Sequence, residues 1–152
     1  MVCGRRCGVV DPARLRVVLS RLQSRKRELE PYAALDTERY LASPERVYAS
    51  RYLLITAIED ALATANHIIA SEAYRAPVDY ADAFRSLSEA GVLSPELAQR
   101  LEAMARFRNL LVRVYARVDD QKVHEFLRQD LPDLDRFVEA VLNAFPELRE
   151  PD

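Results

Sequence analysis

Four polar residues near position 110 have types and spacings that could act on a phosphate group. They are Arg108, Asn109, Arg113 and Tyr115, and they fall in the partly apolar segment from Met104 to Tyr115. An arginine guanidinium binds phosphate through several N–H donors and keeps its positive charge near neutral pH. At about 100° per helical residue, Tyr115 lies roughly 20° from Arg108, whereas Arg113 lies roughly 140° away. One continuous helix therefore cannot point both arginines at one ligand atom.

The element that must position these groups is predicted to be an amphipathic helix. Its apolar side chains recur at helical spacing, namely Leu97, Leu101, Met104, Phe107 and Leu111. Ser94, Pro95 and Glu96 are typical of a helix start, with an N-cap, a proline at the first position and an acid in the first turn. Two arrangements remain open for the divergent arginines. Either the helix breaks near Arg113, or a symmetric dimer completes the polar group across two chains.

The order of these residues resembles the signature of HEPN-domain proteins, specifically the HepT toxins of type VII HepT/MntA toxin–antitoxin systems. Their pattern is Arg-Asn-x-x-x-His-x-Tyr, usually after an aromatic residue, and here Phe107 precedes Arg108 and Asn109. The chain departs from the pattern at one position, because Arg113 stands where the family has histidine. The resemblance covers roughly residues 22–145. Residues 48–69 are similar to the family's second helix, and residues 89–98 to the turn before its motif helix. Residues 119–134 are similar to its closing helix.

The resemblance implies a metal-independent endoribonuclease that acts as a homodimer, without a cofactor. In that chemistry Arg108, with Asn109 beside it, would neutralise the scissile phosphate as charge builds on its oxygens. The family's histidine would move the proton between the ribose 2′-hydroxyl and the leaving oxygen. Arg113 cannot do so, because a guanidinium stays protonated near pH 7 and has no acceptor. The resemblance therefore predicts RNA binding, with cleavage weakened or lost.

The resemblance also implies a protein partner, a nucleotidyltransferase antitoxin of the MntA type. In the family this enzyme transfers AMP to the motif tyrosine, which is Tyr115 here. The added phosphate would put negative charge beside Arg108, where the RNA phosphate should sit. Apart from the resemblance, Tyr115 is more simply explained as a residue at a helix end, with its ring packed and its hydroxyl in water.

Two polar residues of the preceding long helix, Glu59 and Asn66, are possible supporting site residues. They are seven positions apart and hence share a face, although such groups are more often exposed or bonded between helices. Many HepT relatives carry an acid four residues before His67, where this chain has Ala63. His67 itself is predicted to be a packed, hydrogen-bonded histidine, since no second ligand stands at metal spacing.

Length and composition predict one all-α domain. The chain has 152 residues, 49% of them hydrophobic, with three glycines and no tryptophan. We expect a flexible segment at 1–10, a HepT/HEPN-like helical domain at 11–146 and a polar tail at 147–152. No secretory signal or membrane span is predicted, and Cys3 and Cys7 suit reduced thiols in the cytoplasm.

The apolar pattern predicts about five helices in a mostly antiparallel bundle. Helices are expected to start at Asp11-Pro12, at Ser43-Pro44 and at Asp119-Asp120, in addition to the start at Ser94. Pro31 is expected to kink or end the first helix, and Pro132 to break the last at Leu131. A short helix is expected over residues 79–90, ended by Gly91 and with Tyr80, Phe84 and Leu87 facing inward.

Charge is unevenly distributed along the chain although the net charge is only −2. Residues 1–27 hold eight basic residues and one acid, and residues 119–152 hold ten acids and four basic residues. Such blocks are usually solvated faces of a bundle. The alternative is a basic rim that holds a phosphate backbone.

Three functions remain open from the sequence. The chain could be a HepT-type toxin with residual ribonuclease activity. It could instead be an inactive member that still binds RNA or its antitoxin. A purely structural helical dimerisation module is the third possibility, and a neighbouring nucleotidyltransferase gene would separate it from the other two.

Overall fold

The computed structural model describes residues 10–114 and 117–149. Within these ranges all regular secondary structure is helical, which confirms the all-α prediction. Seven α-helices are formed where the apolar pattern predicted about five. They are α1 (Pro12–Ala34), α2 (Thr37–Leu41), α3 (Pro44–Glu72), α4 (Asp82–Glu89), α5 (Pro95–Arg113), α6 (Asp120–Gln129) and α7 (Pro132–Ala144), and a 3-10 turn follows at Pro146–Arg149.

The helix starts follow the capping residues of the sequence. The side chains of Asp11, Ser43, Ser94 and Asp119 each accept a backbone N–H in the first turn of the following helix. Each of these contacts satisfies one N–H that has no partner inside the helix. The cap at Ser94 has an N–H to oxygen distance of 3.1 Å and fixes where α5 begins.

Prolines divide the chain as well. The predicted break at Leu131 is present, because α6 ends at Gln129 and α7 begins at Pro132. Pro31 lies inside α1, which continues only to Ala34. The additional short helix α2 starts from a cap by Asp36, whose carboxylate accepts from the Arg39 N–H at 2.8 Å.

Helix α3 lies at the centre of the bundle and packs against α1, α4 and α5. Its inward face is fully buried at Leu54, Ala57, Ile58, Ala61, Ala65 and Ile68. By length and composition α3 could also cross a membrane, but 56% of its most apolar window is buried inside the bundle. Packing within the domain thus accounts for its apolar character.

Several basic residues of α1 are held by carboxylates of the bundle itself. Asp60 of α3 is 3% exposed and receives hydrogen bonds from Arg21, at 2.7 Å, and from Arg25. Lys26 contacts Asp135 of α7 at 2.6 Å. Part of the basic block therefore holds the bundle together, a role that is neither the solvated face nor the basic rim expected from the sequence. The Asp60 carboxylate fastens α1 to α3 because each guanidinium reaches it from the neighbouring helix.

The region around α4 differs from the prediction in one respect. Phe84 and Leu87 are fully buried, as predicted, and Gly91 ends the helix with a φ of 85°. Tyr80 was predicted to face inward, and this is wrong, because 52% of it is exposed. The helix begins at Asp82, not Asp79, so Tyr80 lies in the preceding turn and is not held by helical periodicity.

Candidate functional site

The crossing of α3 and α5 brings Arg108 against Glu59. The Nη2 of Arg108 donates to the Glu59 carboxylate, and the two side chains are 17% and 44% exposed, respectively. Phe107, one residue earlier, stacks on Phe126 of α6 with 4.8 Å between ring centroids. This stacking fixes the rotation of α5, so that the next residue, Arg108, faces α3.

The other groups of Arg108 point to a site for an anion. Its Nη1 donates to Asn109 Oδ1 at 3.0 Å, and its Cζ lies 5.4 Å from the ring centroid of Tyr80. Its Nε is buried and has no acceptor among the described residues. A buried, unmatched donor on a charged group costs free energy. Because this atom has no surface open to a ligand, an anion in the cavity would interact with the charge of the guanidinium and not with this donor.

Two cavities open at this crossing. The larger, of about 420 Å³, is bordered by Asn66, Pro77, Val78, Asp79, Tyr80, Ala81, Arg106, Asn109 and Arg113. The smaller, of about 290 Å³, is bordered by Glu59, Leu62, Ala63, Asn66, Tyr80 and Arg108. Asn66 and Tyr80 border both, so the cavities adjoin along these two residues.

The two motif arginines border different cavities. Arg108 borders the smaller one and Arg113, the last residue of α5, borders the larger one. Helix α5 ends at Arg113, so the break expected near this residue is present, with Val114 no longer helical. Because Arg113 itself is still helical, its divergence from Arg108 remains in a single chain. Tyr115 lies outside the described residues, as do Cys3 and Cys7.

Two residues at the site were not among the candidates from the sequence. Arg106 borders the larger cavity, is 62% exposed and lies 3.5 Å from a carboxylate oxygen of Glu102. Tyr80 borders both cavities. The available signal for Tyr80 was an aromatic residue shortly after Pro77, in a stretch where proline interrupts the helical pattern.

A network of ion pairs holds the turn that presents Tyr80. Arg75 donates to both oxygens of Asp82, at 2.7 and 3.0 Å, and to Glu89 at 2.7 Å. The Asp82 carboxylate also accepts the Val78 N–H at 2.9 Å. Hydrogen bonding by Arg75, and then by the Val78 N–H, lowers the pKa of Asp82 to about 2. The carboxylate therefore stays charged, and the turn stays fastened, throughout the neutral pH range.

The two histidines of the chain border neither cavity. His67 Nε2 accepts the Asp11 N–H at 3.2 Å, in keeping with the predicted packed histidine. His124 is fully buried, with its ring stacked on Tyr40 at 4.4 Å. Across residues 10–114 and 117–149, no three His, Cys, Asp or Glu side chains converge in a way that could hold a metal ion.

Known structures share this fold. A tri-AMPylated Shewanella oneidensis HEPN toxin in complex with MNT antitoxin superimposes with a TM-score of 0.73 at 18% identity, over 87% of this chain and 96% of that one. A toxin–antitoxin structure with AMP-PNP gives 0.79 at 16% identity, over 85% and 97%. YutE from Bacillus subtilis, a cytosolic protein of unknown function, gives 0.80 at 19% identity, over 95% and 97%.

Sequence comparison gives a more specific result. No curated protein sequence matches the chain significantly. A family model described as ribonuclease HepT-like matches residues 22–141. These residues include α3, α5 and the cleft between them, which hold Glu59 and Arg108. The chain therefore belongs to the HepT-like ribonuclease family.

Proposed function

We propose that this protein is a HepT-type toxin that binds single-stranded RNA in the cleft between α3 and α5. The observation that supports this best is the environment of Arg108. Its guanidinium is held by Glu59 and Asn109 beside a cavity, and its buried Nε has no acceptor among the described residues. An RNA phosphate has the charge to pair with this guanidinium from the smaller cavity, which Arg108 borders.

Arg113 and Arg106 extend the positive charge into the larger cavity. Because Arg108 and Arg113 border different cavities, we propose that they contact different phosphates of one strand. Glu59 balances part of the charge of Arg108 and keeps its guanidinium oriented in the absence of RNA. Asn66, which borders both cavities, would donate or accept hydrogen bonds along the same strand.

Cleavage is proposed to be slow or absent in the natural sequence. Attack by a ribose 2′-hydroxyl on the adjacent phosphate needs a group that can accept its proton, and a guanidinium has no acceptor. Neither histidine borders the cavities, so no imidazole of the same chain stands in for the missing one. This feature supports the second candidate function, an inactive member that binds RNA or its antitoxin.

The affinity for RNA tests the assignment of Arg108. Arg108→Ala in the full-length protein is expected to weaken binding of a labelled single-stranded oligoribonucleotide by roughly 10- to 100-fold, because one charge-assisted contact is lost. The slope of log Kd against log salt should fall by about one. Fluorescence anisotropy at several salt concentrations measures both quantities.

The matched control is Arg136→Ala. Arg136 is, like Arg108, an ion-paired arginine, but it is more exposed, contacts Asp133 of α7 and borders neither cavity of the cleft. It should change RNA affinity less than twofold at physiological salt. Equal losses in the two variants would mean that RNA is held by the general surface charge, and the proposed site would be wrong.

The protein partner is proposed to be a nucleotidyltransferase antitoxin of the MntA type, acting in the cytoplasm on Tyr115. Two of the superimposed structures pair a HEPN-like fold with an antitoxin, which supports the proposal for this chain. AMP on Tyr115, two positions after Arg113 in the sequence, would add a phosphate that can pair with the guanidinium groups of Arg108 and Arg113. That charge would compete with RNA phosphates for the same guanidinium groups.

A homodimer is proposed because the last turns of α5 expose apolar side chains beside the motif. Leu110 and Val114 are 49% and 38% exposed and lie four positions apart, on one side of the end of α5, whereas Val112, 45% exposed, lies on another side. An isologous contact through Leu110 and Val114 would pair the α5 helices of two chains. Light scattering should therefore give about twice the 17.4 kDa mass of one chain.

Leu110→Glu is expected to shift the dimer to a monomer, because a buried carboxylate would face its own copy in a symmetric contact. Val17→Glu, at an exposed position on α1, should leave the mass unchanged. A strictly monomeric wild type at micromolar concentration would exclude this assembly. A wild-type dimer unaffected by Leu110→Glu would place the contact elsewhere.

A further inference from the structure

The residue that separates the two cavities is Tyr80, and we infer that it is a stacking platform for one RNA base. The inference rests on the proposed RNA binding and adds to it a contact with a base, not a phosphate. The motif residues that the structure describes, Arg108, Asn109 and Arg113, carry no aromatic ring. Tyr80 offers an aromatic face.

The ring of Tyr80 is not part of the packed core. Its side chain is 52% exposed although the neighbouring aromatic Phe84 is fully buried. Pro77, Val78, Tyr80 and Ala81 together form an apolar edge along the larger cavity, and Val78 is 85% exposed. An apolar edge beside a cavity rimmed by arginines suits a ligand with both a flat ring and a negative charge.

The turn is held in place before any ligand binds. Arg75 ties Asp82 and Glu89 together, and the Asp82 carboxylate accepts the Val78 N–H. The Tyr80 carbonyl also accepts the Ala83 N–H at 3.3 Å. The ring therefore binds without a large ordering cost, because its backbone is already fixed by these contacts.

The geometry around the ring leaves room for a base. The guanidinium of Arg108 lies over one face of the Tyr80 ring, 5.4 Å from its centroid, and borders only the smaller cavity. A base would therefore stack on the ring from the side of the larger cavity. The larger cavity has about 420 Å³, within the roughly 300–1,000 Å³ range of small-ligand pockets. A nucleotide whose base stacks on Tyr80 would have one flanking phosphate toward Arg108 and the other toward Arg113.

Asn109 presents hydrogen-bond donors to this pocket. Its Oδ1 accepts from Arg108, which leaves the Nδ2 hydrogens as the groups it can offer to a ligand. A donor at this position favours a base edge that presents an oxygen or ring nitrogen acceptor. Single-stranded RNA fits this arrangement, since its bases are free to unstack, whereas the bases of a duplex are already stacked.

Binding measurements on ring variants test the inference. Tyr80→Ala and Tyr80→Leu are expected to weaken binding of a single-stranded oligoribonucleotide by about 5- to 100-fold, the range for loss of one stacked base. Tyr80→Phe should bind within twofold of wild type, because the ring is kept. The slope of log Kd against log salt should not change, since no phosphate contact is lost.

Two further readouts separate stacking from a structural effect. Fully duplex RNA should bind wild type and Tyr80→Leu equally. An oligoribonucleotide with 2-aminopurine at the stacked position should lose fluorescence on binding wild type and Tyr80→Phe but not Tyr80→Leu. Tyr48→Ala is the matched control, because Tyr48 is 65% exposed and lies three turns before Glu59 on α3. It should match wild type in all assays.

The outcomes distinguish this inference from the function on which it rests. If wild type binds RNA, Arg108→Ala binds weakly and Tyr80→Leu binds as wild type does, the stacking role is wrong and the proposed function stands. If Tyr80→Phe is as weak as Tyr80→Ala, the hydroxyl makes the contact and stacking is excluded. Absence of any RNA binding by wild type overturns both.

Discussion

Arg113→His is expected to raise RNA cleavage by about 10²–10⁴-fold, the usual contribution of a positioned general acid or base. Arg113 is exposed at the end of α5 and borders the larger cavity, so an imidazole there would face a bound strand. The rate should rise with pH through the range where imidazole loses its proton, near pH 6–7. Cleavage of a labelled oligoribonucleotide at several pH values measures both effects.

The double variant Arg113→His, Arg108→Ala provides the control. It should lose the gained activity, because the histidine alone cannot stabilise the charge that develops on the phosphate. Arg113→Gln should not gain cleavage, since an amide cannot move a proton at neutral pH. A natural sequence that already cleaves RNA as fast as the histidine variant would show that position 113 has no role in proton transfer.

Tyr115→Phe is expected to abolish modification by the proposed nucleotidyltransferase antitoxin. With ATP and that enzyme, wild type should gain the mass of one or more AMP units on the peptide that contains Tyr115. The phenylalanine variant has no hydroxyl to attack the α-phosphate and should gain none. Intact-protein and peptide mass spectrometry measure the transfer, and RNA affinity before modification should be the same in both proteins.

Tyr80→Phe is the matched control, because Tyr80 is an exposed tyrosine that borders the cleft. It should be modified as wild type is. AMP-modified wild type should bind RNA much more weakly than the unmodified protein, because the added phosphate competes for the cleft arginines. Modification of Tyr115→Phe at the wild-type level would assign the acceptor to a different side chain.

The sequence predicts the larger helices well because their starts depend on local chemistry. A capping side chain followed by proline acts within one turn, so Asp11, Ser43 and Ser94 mark α1, α3 and α5 without reference to the rest of the fold. The five residues of α2 are too few for an apolar period to be recognised. That helix depends on a single cap by Asp36.

The candidate site is predicted only in part, because it depends on contacts between helices. The seven-residue spacing of Glu59 and Asn66 places both on one face of α3, and both border the smaller cavity. The crossing of α3 and α5 determines which of the two residues contacts Arg108. No local sequence pattern specifies that crossing. Tyr80 is misplaced for a related reason. Ion pairing by Arg75 and Asp82 sets where α4 begins and leaves Tyr80 outside the helix.

Arg113 occupies a position where substitution has little cost for the fold. It is exposed at the last residue of α5, where a positive charge interacts favourably with the C-terminal end of the helix dipole. Histidine or arginine can be accommodated there, since neither packs in the core. A lineage could therefore exchange the two residues in either direction without losing the folded state. Position 113 can therefore gain or lose a proton-transfer group without a change in the stability of the fold. A protein with arginine there needs only one codon change to regain histidine.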